Sequence, residues 1–150
     1  MWKSTFIGIL MLLILLSGCT STDTPPGVDI PTLSPPTAGM SSVTGRVIHK
    51  QTKEPFTNTI VRLAEIVRPE QGEDVFVLDQ AFSPGARTDE AGIFVFQDVE
   101  PKEYAIVVGD VERIYEIIPD SSGAAKSFPA EPDQVLYVGD LEVLLEPTQP

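Results

Sequence analysis

The sequence predicts an all-β fold, a seven-stranded antiparallel Greek-key β-sandwich, and three observations lead there. From about residue 42 onward, apolar residues recur with period two in short runs, the signature of strands that bury one face. Gly, Pro, Asn and Asp separate those runs at short intervals, where turns need their backbone freedom or side-chain hydrogen bonds. Between the runs no convincing amphipathic helix intervenes, so the strands pack on one another as sheets instead of forming βαβ units.

The first strand is SVTGRVIHK, 42–50, with Val43, Gly45 and Val47 on one face and Arg46 on the other. QTKEPFTN is polar, contains Pro55 and Asn58, and reads as a loop. In TIVRLAEIV, 59–67, Val61 and Leu63 face the core while Arg62 presents its guanidinium to solvent. RPEQGED then interrupts. In VFVLDQAF, Val75, Val77 and Asp79 oppose Phe76, Leu78 and Gln80, and the Pro and Gly of SPGAR end the run.

Thr88-Asp89-Glu90-Ala91-Gly92 has a residue able to cap its own turn early and a glycine late, which suits a type I turn ending in a left-handed residue. Asp89 and Gly92 are therefore structural. In IFVFQDV, Phe94 and Phe96 share the buried face. Pro101, which has no N–H to give a ladder, stops the run, and YAIVVG resumes with Tyr104, Ile106 and Val108 aligned. The two runs read as a hairpin-like pair. The expected core is thus Val47, Val61, Leu63, Phe94, Phe96, Tyr104 and Ile106.

VERIYEIIP, 111–119, fits a helical stripe and a strand face alike; its three isoleucines and one valine favour strand. DSSGAAKSFPAEPD, 120–133, reads as a turn-rich surface loop. QVLYVGDLEVLLEP supplies a last strand, with Leu141, Val143 and Leu145 opposite Glu142, Leu144 and Glu146.

The N-terminus carries an address. MWKSTFIGILMLLILLSGC has one lysine, an apolar run from Phe6 to Leu16, then Ser17-Gly18 and a cysteine. The run falls short of the roughly 20 residues that a membrane-spanning helix needs, so it reads as an export signal. The ending LSGC resembles the bacterial lipoprotein signal, which implies a diacylglyceryl group and further acyl chains such as palmitate on Cys19, with cleavage just before it. Cys19 is the sole cysteine, so it has no internal disulfide partner. Residues 1–18 are then the signal peptide and 19–41 a lipidated cysteine with a Thr/Ser/Pro-rich tether, too polar to offset its ordering entropy by burial. Residues 42–146 are the folded domain and 147–150 a tail. The expected location is a bacterial membrane, cell or outer, reached by export.

Composition excludes several functions. The net charge of −12 becomes −13 once the signal and its Lys3 are removed, a field that repels nucleic acid and anionic headgroups. His49 is the single histidine, which leaves no set of imidazoles for zinc and one candidate base for a Ser-His pair. No glycine-rich phosphate loop is present. Acidic residues do fall in loops, and Asp89, Glu90 and Asp110 are calcium candidates by residue type, although no EF-hand spacing occurs; a solvated acidic surface explains them as well.

Four motifs in order, V-T-G-R-V-I at 43–48 followed by Pro55, N-T-I-V-R-L at 58–63, T-D-E-A-G-I-F-V-F at 88–96 and V-E-P-K-E-Y-A-I at 99–106, together resemble a carboxypeptidase regulatory-like domain of the transthyretin-like (prealbumin-like) class, a sandwich of immunoglobulin-like build. The stretch 109–134 is longer than a minimal member's. The resemblance implies a non-catalytic module of the kind that accompanies enzymes, receptors or surface proteins. The expectation is a cofactor-free, lipid-anchored module with a structural role or an envelope protein or glycan as partner. A small transthyretin-like hydrolase or ligand carrier is the alternative.

Overall fold

In this computed structural model residues 31–72, 74–79 and 81–145 are described. Nine strands follow one another along them: β1 (Ser41–His49), β2 (Ile60–Val67), β3 (Val75–Val77), β4 (Gly85–Arg87), β5 (Ile93–Val99), β6 (Glu103–Asp110), β7 (Ile114–Ile117), β8 (Phe128–Pro129) and β9 (Val135–Val143). They form an all-β fold of two sheets, one of three strands in the order β5-β1-β9 and one of six built on the antiparallel pair β2-β6.

The larger sheet shows why the strand count exceeds the seven expected. On the outer edge of β2, β4 pairs with residues 60–62 and β3 with residues 65–67. On the outer edge of β6, β8 pairs with residues 103–104 and β7 with residues 107–110. Nine strands therefore occupy seven lateral positions, because turns break each outer position in two. Asp79 Oδ1 accepts from the N–H groups of Ala81 and Phe82 at 2.7 and 3.1 Å. Asp120 Oδ1 likewise accepts from Ser122 and Ala124 at 2.8 and 3.2 Å. A short acidic side chain that captures the next N–H groups offers the backbone an alternative to the ladder.

Two further expectations need correction. The sheets are not wholly antiparallel, since β1 pairs with β9 in parallel. The chain leaves β8 in one sheet and enters β9 in the other beside the start of β1, where Asp133 N donates to Met40 O at 2.7 Å and Ser42 N to Gln134 O at 3.0 Å. Nor do residues 93–108 form a hairpin: β5 pairs with β1 and β6 with β2, so the segment around Pro101 crosses between the sheets.

Between the sheets lies one core containing Val43, Val47, Val61, Leu63, Phe94, Phe96, Tyr104, Ile106, Val108, Leu141 and Val143. Each such side chain, fully buried, contributes about 1.5–3 kcal/mol. Gly45 makes room for it: a Cβ there would lie 2.5 Å from Val138 Cγ2 and 3.1 Å from Phe94 Cζ. The stretch 120–133 is more than a surface loop, because Phe128 and Ala130 join this core. A second, smaller cluster of Ala64, Ile66, Ala105 and Val107 covers the other face of β2 and β6, with Leu78, Val111, Ile117 and Ala125 packed against it. Strand β6 is thus buried on both faces, which accounts for its unbroken apolar run.

Candidate functional site

Asp89 and Gly92 close the turn between β4 and β5. Asp89 Oδ1 accepts from Ala91 N at 2.9 Å and Ile93 N at 2.8 Å, and Gly92 N donates to Asp89 O at 3.0 Å. Gly92 sits at φ +79°, and a Cβ there would stand 2.5 Å from the carbonyl oxygen of Val47; the position requires glycine on both counts. Asp110 is likewise engaged in its own turn, Oδ1 accepting from Glu112 N at 3.0 Å, and Glu90 is exposed. The structure does not bring Asp89, Glu90 and Asp110 together as a cation site: among the described residues no three His, Cys, Asp or Glu side chains converge.

His49 ends β1. Its Nδ1 accepts from the N–H groups of Gln51 and Thr52, each at 3.3 Å, and its ring stacks on Phe56 with centroids 6.0 Å apart. It organises the turn into the following loop. Arg62 is half-buried, not fully exposed as its face suggested, because its guanidinium lies over the bare backbone of Gly85. Ile60, Arg62, Gly85, Ala86 and Arg87 line a shallow depression there, and Arg87 is held by Asn58 O at 3.0 Å. Cys19 lies outside the described residues.

The feature that sequence parity missed is the edge at β3. Parity there assigns opposed faces to Val75 with Val77 and to Phe76, yet all three are exposed, Val75 at 51% and Phe76 at 41%. Val67, directly opposite Val75 on β2, is exposed too, and Phe82 in the turn after β3 reaches 88%. Apolar side chains are thus exposed on both faces of one edge strand, a place where a partner can bind. The signal available in the sequence was brevity, since turn residues bracket the run closely on both sides.

The other sheet edges also expose apolar side chains, Ile114 and Tyr115 on β7 and Val135 and Tyr137 on β9, but each edge strand carries a charge, a bulge or a proline. β9 carries Asp140 and Glu142, paired with Arg46 and Lys53 at 2.6 Å each, and a left-handed Gly139 where its register shifts. β5 carries the exposed Gln97 and a left-handed Asp98 just before its last residue, Val99. β4 contains Gly85 and Arg87, β7 contains Glu116, and β8 contains Pro129. Charges, bulges and prolines are the devices that keep edge strands from recruiting other chains. β3, Val-Phe-Val, has no charge, bulge or proline of its own, and only its three-residue length limits it.

No protein family matches the chain, and no curated relative matches it. Among solved structures it is similar to a 9R-lipoxygenase from Cyanothece PCC8801, at 14% identity and a TM-score of 0.45, over 83% of this chain and 19% of the enzyme. A DUF3823 family protein from Bacteroides uniformis is similar at 18% identity and a TM-score of 0.43, over 69% of this chain and 43% of that one. A proposed carbohydrate-binding protein from Pseudomonas aeruginosa is similar at 16% identity and a TM-score of 0.45, over 77% of this chain and 100% of that one. The chain thus spans less than half of the first two. At these scores the likenesses carry no argument, and the two-sheet description stands on the chain's own strand pairing.

Proposed function

We propose that the chain is a non-catalytic binding module of a bacterial envelope, held to a membrane by acyl chains on Cys19 and engaging a protein through the β3 edge. The carrying observation is the exposure of Val67, Val75, Phe76 and Val77 at one sheet edge, with Phe82 exposed in the turn that follows. Sugars prefer aromatic rings with a polar handle, whereas this edge offers valines and phenylalanines, which suits the apolar face of a polypeptide. The four motifs between residues 43 and 106 support the finer reading of a carboxypeptidase regulatory-like module.

A photo-crosslinking residue at Phe82 in cells tests the reading, with the same residue at exposed Lys50 as control. A protein partner captured from position 82 and not from 50 supports it. No capture from 82, or ester, amide or glycoside turnover that His49→Ala abolishes with the fold intact, overturns it in favour of the hydrolase alternative. For the anchor, mass spectrometry of the mature N-terminus should find an acylated Cys19, and Cys19→Ala should release the protein from membranes. An unmodified Cys19, or a mature start elsewhere, refutes the anchor alone.

A further inference from the structure

We infer that β3 accepts an extended peptide as an added strand, and that the peptide carries apolar residues bracketed by basic ones. The inference rests on the proposed binding role and states its mode and its chemistry. β2 occupies one edge of β3, and among the described residues no strand pairs with the opposite edge. Strand addition supplies main-chain hydrogen bonds at such an edge, and side chains at alternate positions supply the specificity.

The two faces of β3 differ in a way that an added strand would read. Phe76 lies opposite Ile66, on the face of the smaller apolar cluster, whereas Val75 and Val77 lie opposite Val67 and Glu65. A strand added beside β3 extends both faces at once. It meets aromatic and aliphatic surface on one side and, on the other, valines beside the Glu65–Lys102 ion pair.

Charge selects the occupant. Asp74 precedes β3 and is paired with Arg68 at 3.3 Å, and Asp79 follows β3 by two residues with one carboxylate oxygen engaged by the N–H groups of its own turn, so the charge bracketing the strand is negative but partly neutralised. The chain as a whole carries −12. A second copy would bring the same aspartates against these in an antiparallel β3-β3 pairing, and anionic lipid would be repelled. A peptide with lysine or arginine on either side of its apolar segment meets Asp79 at one end, competes with Arg68 for Asp74 at the other, and gains on-rate from the overall negative field.

The test uses the full chain in detergent and a fluorescent synthetic peptide in which valine and threonine alternate between terminal lysines. Binding by anisotropy is expected, about tenfold weaker for Phe76→Lys and weaker still when glutamates replace the terminal lysines. Methylating alternate peptide nitrogens should abolish binding in one parity and spare it in the other, because only one set of N–H groups points at β3. Failure of the peptide to bind, equal binding by both parities, or equal binding by the glutamate peptide overturns the inference. So does self-association of the chain that Phe76→Lys removes, or Phe82-dependent binding to phosphatidylcholine vesicles in place of the peptide. Crosslinking from Phe82 that persists while the parity test fails leaves the binding role standing and discards strand addition.

Discussion

The hydroxyl of Tyr104 donates to the carbonyl oxygen of Glu100 at 2.8 Å and so ties the crossover between the sheets to the start of β6. The ring itself belongs to the core between the sheets. Tyr104→Phe keeps the ring and loses one hydrogen bond, which should cost about 0.5–1.5 kcal/mol; Tyr104→Ala should cost about 3–5 kcal/mol. Burial pushes the Tyr104 phenol above its ordinary value near 10, against the lowering effect of the Lys102 cation, and the Glu100 and Glu65 carboxylates add to the rise. The unfolded chain then releases this proton at lower pH than the folded one, so the phenol's contribution is whole below pH 10 and is lost as pH rises through the folded pKa. Burial raises Tyr137 as well, so Tyr104→Phe should flatten only part of the alkaline decline. Urea titrations at about pH 9 and about pH 11 measure it, and an equally steep decline in the variant contradicts the assignment.

Phe94 and Phe76 are the same residue in opposite situations. Phe94 is fully buried and meets Phe96 edge-on with centroids 5.6 Å apart. Phe94→Ala should cost about 3–5 kcal/mol, a large share of the roughly 5–15 kcal/mol that a domain possesses. Phe76→Ala, on the exposed edge, should stay within about 0.5 kcal/mol of the parent. Comparable urea midpoints for the two variants would show that the edge is not a surface.

That contrast marks the limit of what the sequence made legible. The all-β, two-sheet character was legible because alternation such as Phe94-Val95-Phe96 is a local property of a pleated chain. Direction was not, since the parallel approach of β9 to β1 depends on where the 130–134 crossover delivers the chain. Phe128 was hidden because its strand is two residues long inside a turn-rich stretch. The β3 edge was visible as an apolar run, but alternation reads the same whether the strand ends beside a neighbour or beside solvent. Hydrogen bonding between distant segments decides that.

Two buried hydroxyls near the start of β1 should respond in opposite ways. Thr44 Oγ1 donates to Phe94 O at 2.8 Å, deep between β1 and β5. Ser42 Oγ is equally buried and has no hydrogen-bond partner among the described residues. A desolvated hydroxyl with nothing to bond is a cost that truncation removes, so Ser42→Ala should be neutral or stabilising. Thr44→Val removes the hydroxyl and leaves a buried carbonyl under-satisfied, for a loss of about 1–3 kcal/mol. Thermal or urea midpoints that fall together in both variants would mean that Ser42 has a partner after all.

Before β1 begins, two aspartates clasp the chain. Thr37 N donates to Asp98 Oδ1 at 2.6 Å and Gly39 N to Asp133 Oδ1 at 2.7 Å, and both aspartates hold left-handed backbone, at φ 55° and 59°. The chain before β1 is therefore pinned to the sandwich from Thr37 onward. Glycine tolerates the left-handed backbone and has no carboxylate, so the double substitution Asp98→Gly and Asp133→Gly opens the clasp without straining it. Faster amide exchange at Thr37 and Gly39 is expected, with protection in β2 and β6 unchanged. Freeing residues 37–40 would add roughly 13 Å of reach at full extension, which under the proposed anchor on Cys19 would let the module stand farther from a membrane. Unaltered exchange at both amides in the double variant would show that the backbone bond from Asp133 N to Met40 O suffices to hold the segment.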